Sequence, residues 1–173
     1  SGKIHFIGVS NWTTQRIDEA NKFAEENGME PIRISQINYS LAHSSVETFG
    51  DNTLVCMDTK EFRWYKKHDF PVMAFSPQAK GFFAKLAKGD AANNLPEGQY
   101  AGPANLARLA KVKQLSEQTG DTPAKITLGY LNSQPFFVSS VFAVTKLWQL
   151  DEDMEAQDLT YDPKTVAFLE NMI

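Results

Sequence analysis

The sequence predicts an α/β fold in which four short strands alternate with helices and lie parallel in one sheet. Apolar runs that stop at small polar residues recur at Ile7-Gly8-Val9-Ser10-Asn11, Ile34-Ser35-Gln36-Ile37-Asn38-Tyr39, Val72-Met73-Ala74-Phe75-Ser76 and Val138-Ser139-Ser140-Val141-Phe142-Ala143. Each run is followed by a segment with helical spacing of apolar residues, and strands alternating with helices argue for parallel pairing through right-handed crossovers. The polar residues fall where strands end, which is where parallel α/β folds meet their ligands.

The elements follow in order. The first strand reads as buried, and Thr13 or Thr14 can cap a helix with Ile17, Ala20, Phe23 and Ala24 on one face, ended by Gly28. Pro31 introduces a strand over Ile32 to Tyr39. Residues 41 to 55 look irregular, and Asp58 with Glu61 resembles a capping box opening a short helix that holds Phe62 and Tyr65. The third strand spans Val72 to Ser76. The stretch from Gln78 to Pro103, with several glycines and two prolines, lacks a long helical period. It reads as a lid over a ligand, unordered without it, or as a mobile surface excursion. Asn105 can cap a helix carrying Leu106, Leu109, Ala110, Val112 and Leu115 up to Gly120, and Thr122-Pro123 opens another with Ile126 and Tyr130 on one face. The fourth strand spans Phe137 to Val144. Thr145 can cap the helix after it, and Asp162-Pro163 begins the last. Four such units are half of an eight-unit barrel, so an isolated half would expose two edges and an apolar inner face.

At 173 residues, residues 1–173 read as a single unit. The net charge of -4, with 42% apolar and 22% charged residues, is ordinary for a globular domain and offers no broad basic surface for nucleic acid. No apolar run approaches the ~18 residues of a spanning helix, so no membrane partner is expected. The lone Cys56 cannot form an internal disulfide; it reads as packing and fits a reducing, cytoplasmic setting. The chain opens on Ser1 with a strand almost at once, which reads as a cut through a longer polypeptide.

Taken together, these motifs resemble the C-terminal half of the aldo-keto reductase family, strands five to eight of a TIM (β/α)8 barrel. The resemblance implies NADPH or NADH as cofactor and no metal. Ser10 and Asn11 resemble the family residues that hydrogen-bond the nicotinamide carboxamide, and Gln36 resembles the next residue on that amide. An amide side chain suits the task because it both donates and accepts. Phe75, followed by Ser76, resembles the position whose ring stacks on the nicotinamide. Gln78, Lys80 and Gly81 resemble the pyrophosphate-contacting turn, with Lys80 where Arg is common. Lys146, Gln149 and Asp153 lie in the segment that resembles the adenosine-binding one. There Ala143, Thr145 and Asp153 depart from the frequent Gly, Arg or Lys, and Asn. Lys146 could attract a 2′-phosphate while Glu152 and Asp153 add negative charge, so NADPH and NADH both stay open.

The family's catalytic Tyr, Lys, Asp and His come from the N-terminal half, so the resemblance implies no catalytic residue in this chain. It would supply the cofactor-binding half of an enzyme that reduces aldehydes or ketones and would itself be inactive. His5, His43 and His68 belong to no recognisable Tyr-Lys-Asp set, and Tyr39 is the nearest substitute acid. Without the resemblance, Ser10, Asn11, Gln36 and Asn38 read as strand-end residues satisfying local backbone, Phe75 as core, and Lys80 and Lys146 as solvated charges. The chain's partner would be the missing N-terminal half or a second copy. Alternatives are a non-catalytic half-barrel that binds nucleotide or a protein, and a redox-sensing regulatory subunit.

Overall fold

Strands β1 (Ile7–Ser10), β2 (Ile32–Asn38), β3 (Val72–Phe75) and β4 (Val138–Val141) lie side by side in sequence order, each pair parallel. The computed structural model describes residues 3–89 and 100–170. Between and after the strands come α1 (Thr14–Glu26), α2 (Val46–Phe49), α3 (Thr59–His68), a 3-10 turn over Ala79–Gly81, α4 (Phe82–Ala87), α5 (Pro103–Thr119), α6 (Pro123–Asn132), α7 (Leu147–Met154) and α8 (Pro163–Glu170). The predicted parallel α/β sheet is therefore present, and its order never reverses. Crossovers of one hand then place their helices on one face.

Register separates the two faces. Val9, Ser35, Val72 and Val138 form one row; Ser10, Gln36, Met73 and Ser139 form the next. Ile37 pairs with Ala74 in the first orientation, and Asn38 with Phe75 in the second. Ile37, Val72 and Ala74 are fully buried beneath the helices, with Tyr65, Phe82, Phe83, Val112, Ile126 and Leu131. Burying one such side chain contributes roughly 1.5–3 kcal/mol. The second face is only partly covered: Gln36, Met73, Phe75 and Ser139 are half-buried, and Ser10 is exposed.

Helix α6 sits deepest, packed on α4, α5, α7 and β4 and buried at Ala124 and from Ile126 through Leu131. Gly129 permits this, because a Cβ there would lie 2.8 Å from Tyr161 Cε2 and 2.9 Å from Leu159 Cγ. Capping follows the sequence at α1, where Thr13 Oγ1 accepts from Arg16 N, and at α6, where Thr122 Oγ1 accepts from Lys125 N. Asp58 caps α3, accepting from Glu61 N.

Several expectations are corrected. β1 is not buried: Ile4 and Phe6 are over 70% exposed and Ile7 44%, because β1 is an edge whose one strand neighbour is β2, while α1 packs on β2 and α3. Phe23 of α1 is likewise exposed. Residues 46–49 form the single turn α2, capped by Ser45 and Thr48, where no helix was expected. Glu61 does not return to its own N-cap. Its carboxylate accepts from Thr14 N at 3.0 Å and Thr14 Oγ1 at 3.2 Å, joining α3 to α1. Gly102, not Asn105, precedes α5; Asn105 is buried in the first turn and bonds His43 N, His43 O and Tyr100 O. The N-cap of α7 is Lys146 rather than Thr145, and β4 is shorter than expected. The stretch read as a lid begins as packed structure, since Phe82 and Phe83 of α4 are core residues. Residues 90–99 of that stretch lie outside the described residues.

Candidate functional site

Most of the cofactor-binding candidates read from the sequence lie at or just beyond the C-terminal end of a strand, and Asp153 lies further on, near the end of α7. Ser10 ends β1 and Asn11 follows it; Gln36 is near the end of β2; Phe75 ends β3, with Ser76, Gln78, Lys80 and Gly81 in the turn beyond; Lys146, Gln149 and Asp153 follow β4. Ser10 and Gln36 are register partners, and Phe75 lies one row further on the same face. The fold thus brings a hydroxyl, an amide and an aromatic ring from three neighbouring strands onto the face that the helices leave open.

The first strand end is held by a short strap. Asn11 takes a left-handed backbone, φ 55°, which Asn tolerates better than most side chains. Its backbone N donates to Gln36 O at 2.8 Å, and its Oδ1 accepts from Val55 N at 3.1 Å. Asn38 N donates in turn to Val55 O, and Met57 N to Asn38 O. Because Asn11 Oδ1 is occupied, the side chain offers its Nδ2, whose neighbour is Ser10 Oγ at 3.4 Å. The side-chain amide of Gln36 makes no hydrogen bond among the described residues. Half-buried and unpartnered, it can both donate and accept.

Asn38, read from the sequence as a strand-end residue satisfying backbone groups, supports the site from within. It is fully buried, its Nδ2 donates to Phe75 O at 3.3 Å, and its Oδ1 accepts from Ser44 Oγ, so it fixes the backbone beneath the Phe75 ring. A polar side chain closing an apolar strand was the available signal. Tyr39, read as a substitute acid, is corrected: it is 4% exposed on the helix side, edge-on to Tyr130 and stacked on Phe136. Burial holds its phenol far above the ordinary tyrosine range, and it faces away from the open side.

Beyond β3 the chain turns sharply. Ser76, Ala79 and Lys80 have φ of 52°, 50° and 55°, unusual for residues with a Cβ, and Gly81 follows at φ 79°. Backbone strain of this kind clusters at ligand-binding positions. Lys80 is exposed, with its Nζ 5.8 Å from the Phe49 ring centroid. Past β4, Gln149 Oε1 accepts from Thr145 N, Thr145 Oγ1 and Lys146 N, so this side chain organises the start of α7. Lys146 is exposed. Asp153 is 5% exposed and accepts from Gln78 Nε2 at 2.6 Å; burial raises its carboxyl above the ordinary range, and that hydrogen bond opposes the rise. The turn after β3 and the helix after β4 are thereby joined.

The residues fit a nicotinamide dinucleotide. An unpartnered Gln36 amide, a donor at Asn11 and a half-exposed Phe75 ring match the donors, acceptor and flat face of a nicotinamide carboxamide.

The family model described as "Aldo/keto reductase family" matches residues 1–173. The chain is similar to the L-glyceraldehyde 3-phosphate reductase of Escherichia coli (strain K12), 23% identical over an alignment of 189 residues that takes in 100% of this chain and 50% of that protein. It is also similar to the protein named Protein tas of the same organism, 23% identical over 172 residues, 98% of this chain and 48% of that protein. The chain spans about half the length of the curated relatives it matches. Among the described residues, no helix is long and apolar enough to cross a membrane.

Proposed function

The chain belongs to the aldo/keto reductase family, and from that premise we propose that it supplies the dinucleotide-binding half of an NAD(P)H-dependent oxidoreductase that reduces aldehydes or ketones. The observation that carries the proposal is the row of Ser10 and Gln36, with Phe75 beside it, on the open face at three successive strand ends. When bound, the nicotinamide supplies the hydride. This chain's residues would orient it: Ser10, Asn11 and Gln36 would hold the carboxamide, and Phe75 would stack on the ring. Ser76, Gln78, Lys80 and Gly81 form the turn that receives the pyrophosphate, while Lys146, Gln149 and Asp153 lie at the adenosine end. The similar protein named L-glyceraldehyde 3-phosphate reductase is named for reducing an aldehyde, which supports the carbonyl class.

In this reading the chain is the C-terminal half of a barrel, and the remainder of the parent polypeptide covers the open face and both sheet edges. Matching relatives of about twice the length supports that occupant over a second copy. The proton donor belongs to that other half, so this chain binds the dinucleotide without turning over a carbonyl. The test is a fluorescence titration of the chain with NADPH and NADH, repeated for Gln36→Ala and Phe75→Ala. Saturable binding weakened by both substitutions supports the proposal; binding untouched by either sinks it.

A further inference from the structure

The turn after β3 holds three non-glycine residues in left-handed backbone within five positions, Ser76, Ala79 and Lys80. Such a turn persists only where its surroundings hold it. In its middle, Gln78 reaches across to Asp153, 75 residues later in sequence and near the end of α7, with a 2.6 Å hydrogen bond. Helix α7 packs on α6, and its far end is tied to that helix by Lys125 with Glu155 and by Asn132 Nδ2, which donates to Ala156 O; the Gln78–Asp153 bond is what joins it to the β3 turn. A buried carboxylate without a partner is costly, which makes the Gln78 amide the natural counterpart of Asp153.

We propose that the Gln78–Asp153 hydrogen bond is a positioning clamp, fixing the distance between the β3 turn and α7 so that the two ends of a dinucleotide bind as one ligand. The inference rests on the cofactor reading above. Two half-sites held at the right spacing act at high effective concentration toward a linked ligand, and that gain disappears when the spacing drifts. Neither residue needs to touch the dinucleotide for this effect; each acts through the other.

The clamp predicts a pattern that a merely structural role does not produce. Affinities for nicotinamide mononucleotide, which ends short of α7, and for whichever of NADPH and NADH binds more tightly are measured by calorimetry on the chain, Gln78→Ala, Asp153→Ala and the double variant. Each single change weakens the dinucleotide by about fivefold, the effect of one net hydrogen bond. The double variant is no weaker than either single, and Asp153→Ala moves mononucleotide affinity by less than about twofold. Asp153→Asn, which keeps an acceptor oxygen, retains the dinucleotide affinity and serves if an alanine variant fails to fold. Losses that multiply in the double variant, or equal losses for mononucleotide and dinucleotide in Asp153→Ala, overturn the clamp while leaving the cofactor reading intact. An unmodified chain that binds neither dinucleotide overturns both.

Discussion

Gln36 is half-buried on the open face with its amide unpartnered among the described residues, so its contribution to folding is small, and the proposed function gives that amide a carboxamide to bind. Gln36→Leu should leave stability within about 0.5 kcal/mol while weakening dinucleotide binding by about five- to tenfold; urea unfolding and ligand titration on the same sample check both. Gly129 behaves oppositely. A methyl there meets Tyr161 and Leu159 at under 3 Å, and Gly129→Ala should cost roughly 1–3 kcal/mol in urea unfolding without altering the strand-end residues. The strand-end places of Ser10, Gln36 and Phe75 were legible in the sequence because each interrupts or closes an apolar run, while their roles toward a cofactor rest on the family resemblance. Asn38 was legible as a strand-end residue that satisfies backbone, but its partners, Phe75 O and Ser44, are distant in sequence and were not. Tyr39 was misread for a related reason: a strand end says nothing about which face its last side chain takes until the register is known.

At the scale of elements, Glu61 links two helix starts. Its carboxylate is buried against Thr14, and desolvation, the largest influence, raises it above the ordinary glutamate range, with the Thr14 hydrogen bonds opposing. A raised carboxyl in the folded chain contributes stability that is complete below the unfolded value and is lost as pH rises through the folded one. Glu61→Gln, whose amide can still meet Thr14 N and Oγ1, should therefore gain on the parent as pH climbs from acid toward neutral. Melting temperatures of both proteins across that range test it; parallel curves would refute it. At the neighbouring cap, Thr13→Ala should cost about 1 kcal/mol by removing the acceptor for Arg16 N. The longer helices α1, α3 and α6 were readable from caps and apolar spacing, and α5 from its apolar spacing alone. Helices α2 and α4 were not, because four and six residues complete too little of a 3.6-residue period to be told from loop. Phe82 and Phe83 of α4 are core because the strained β3 turn swings them inward, a tertiary fact that no local pattern announces.

For the whole molecule, the four-stranded parallel architecture was legible and the exposure of its margins was not, since burial of β1 depends on what lies beyond its free edge. Ile4, Phe6 and Ile7 at one edge and Phe137 and Val141 at the other leave apolar surface and unpaired backbone open. The chain on its own should associate as its concentration rises, and Ile7→Lys, a charge on the edge strand, should reduce that association while leaving the melting temperature nearly unchanged. Sedimentation velocity over a concentration series measures it; identical profiles for the two proteins would count against edge pairing. The unreversed order β1-β2-β3-β4 also bears on how the molecule comes into being. As the chain leaves the ribosome, each strand's template is the strand made just before it, so the sheet can grow in the direction of synthesis without waiting for a distant segment. At every stage the nascent protein presents one fresh edge to the strand about to emerge.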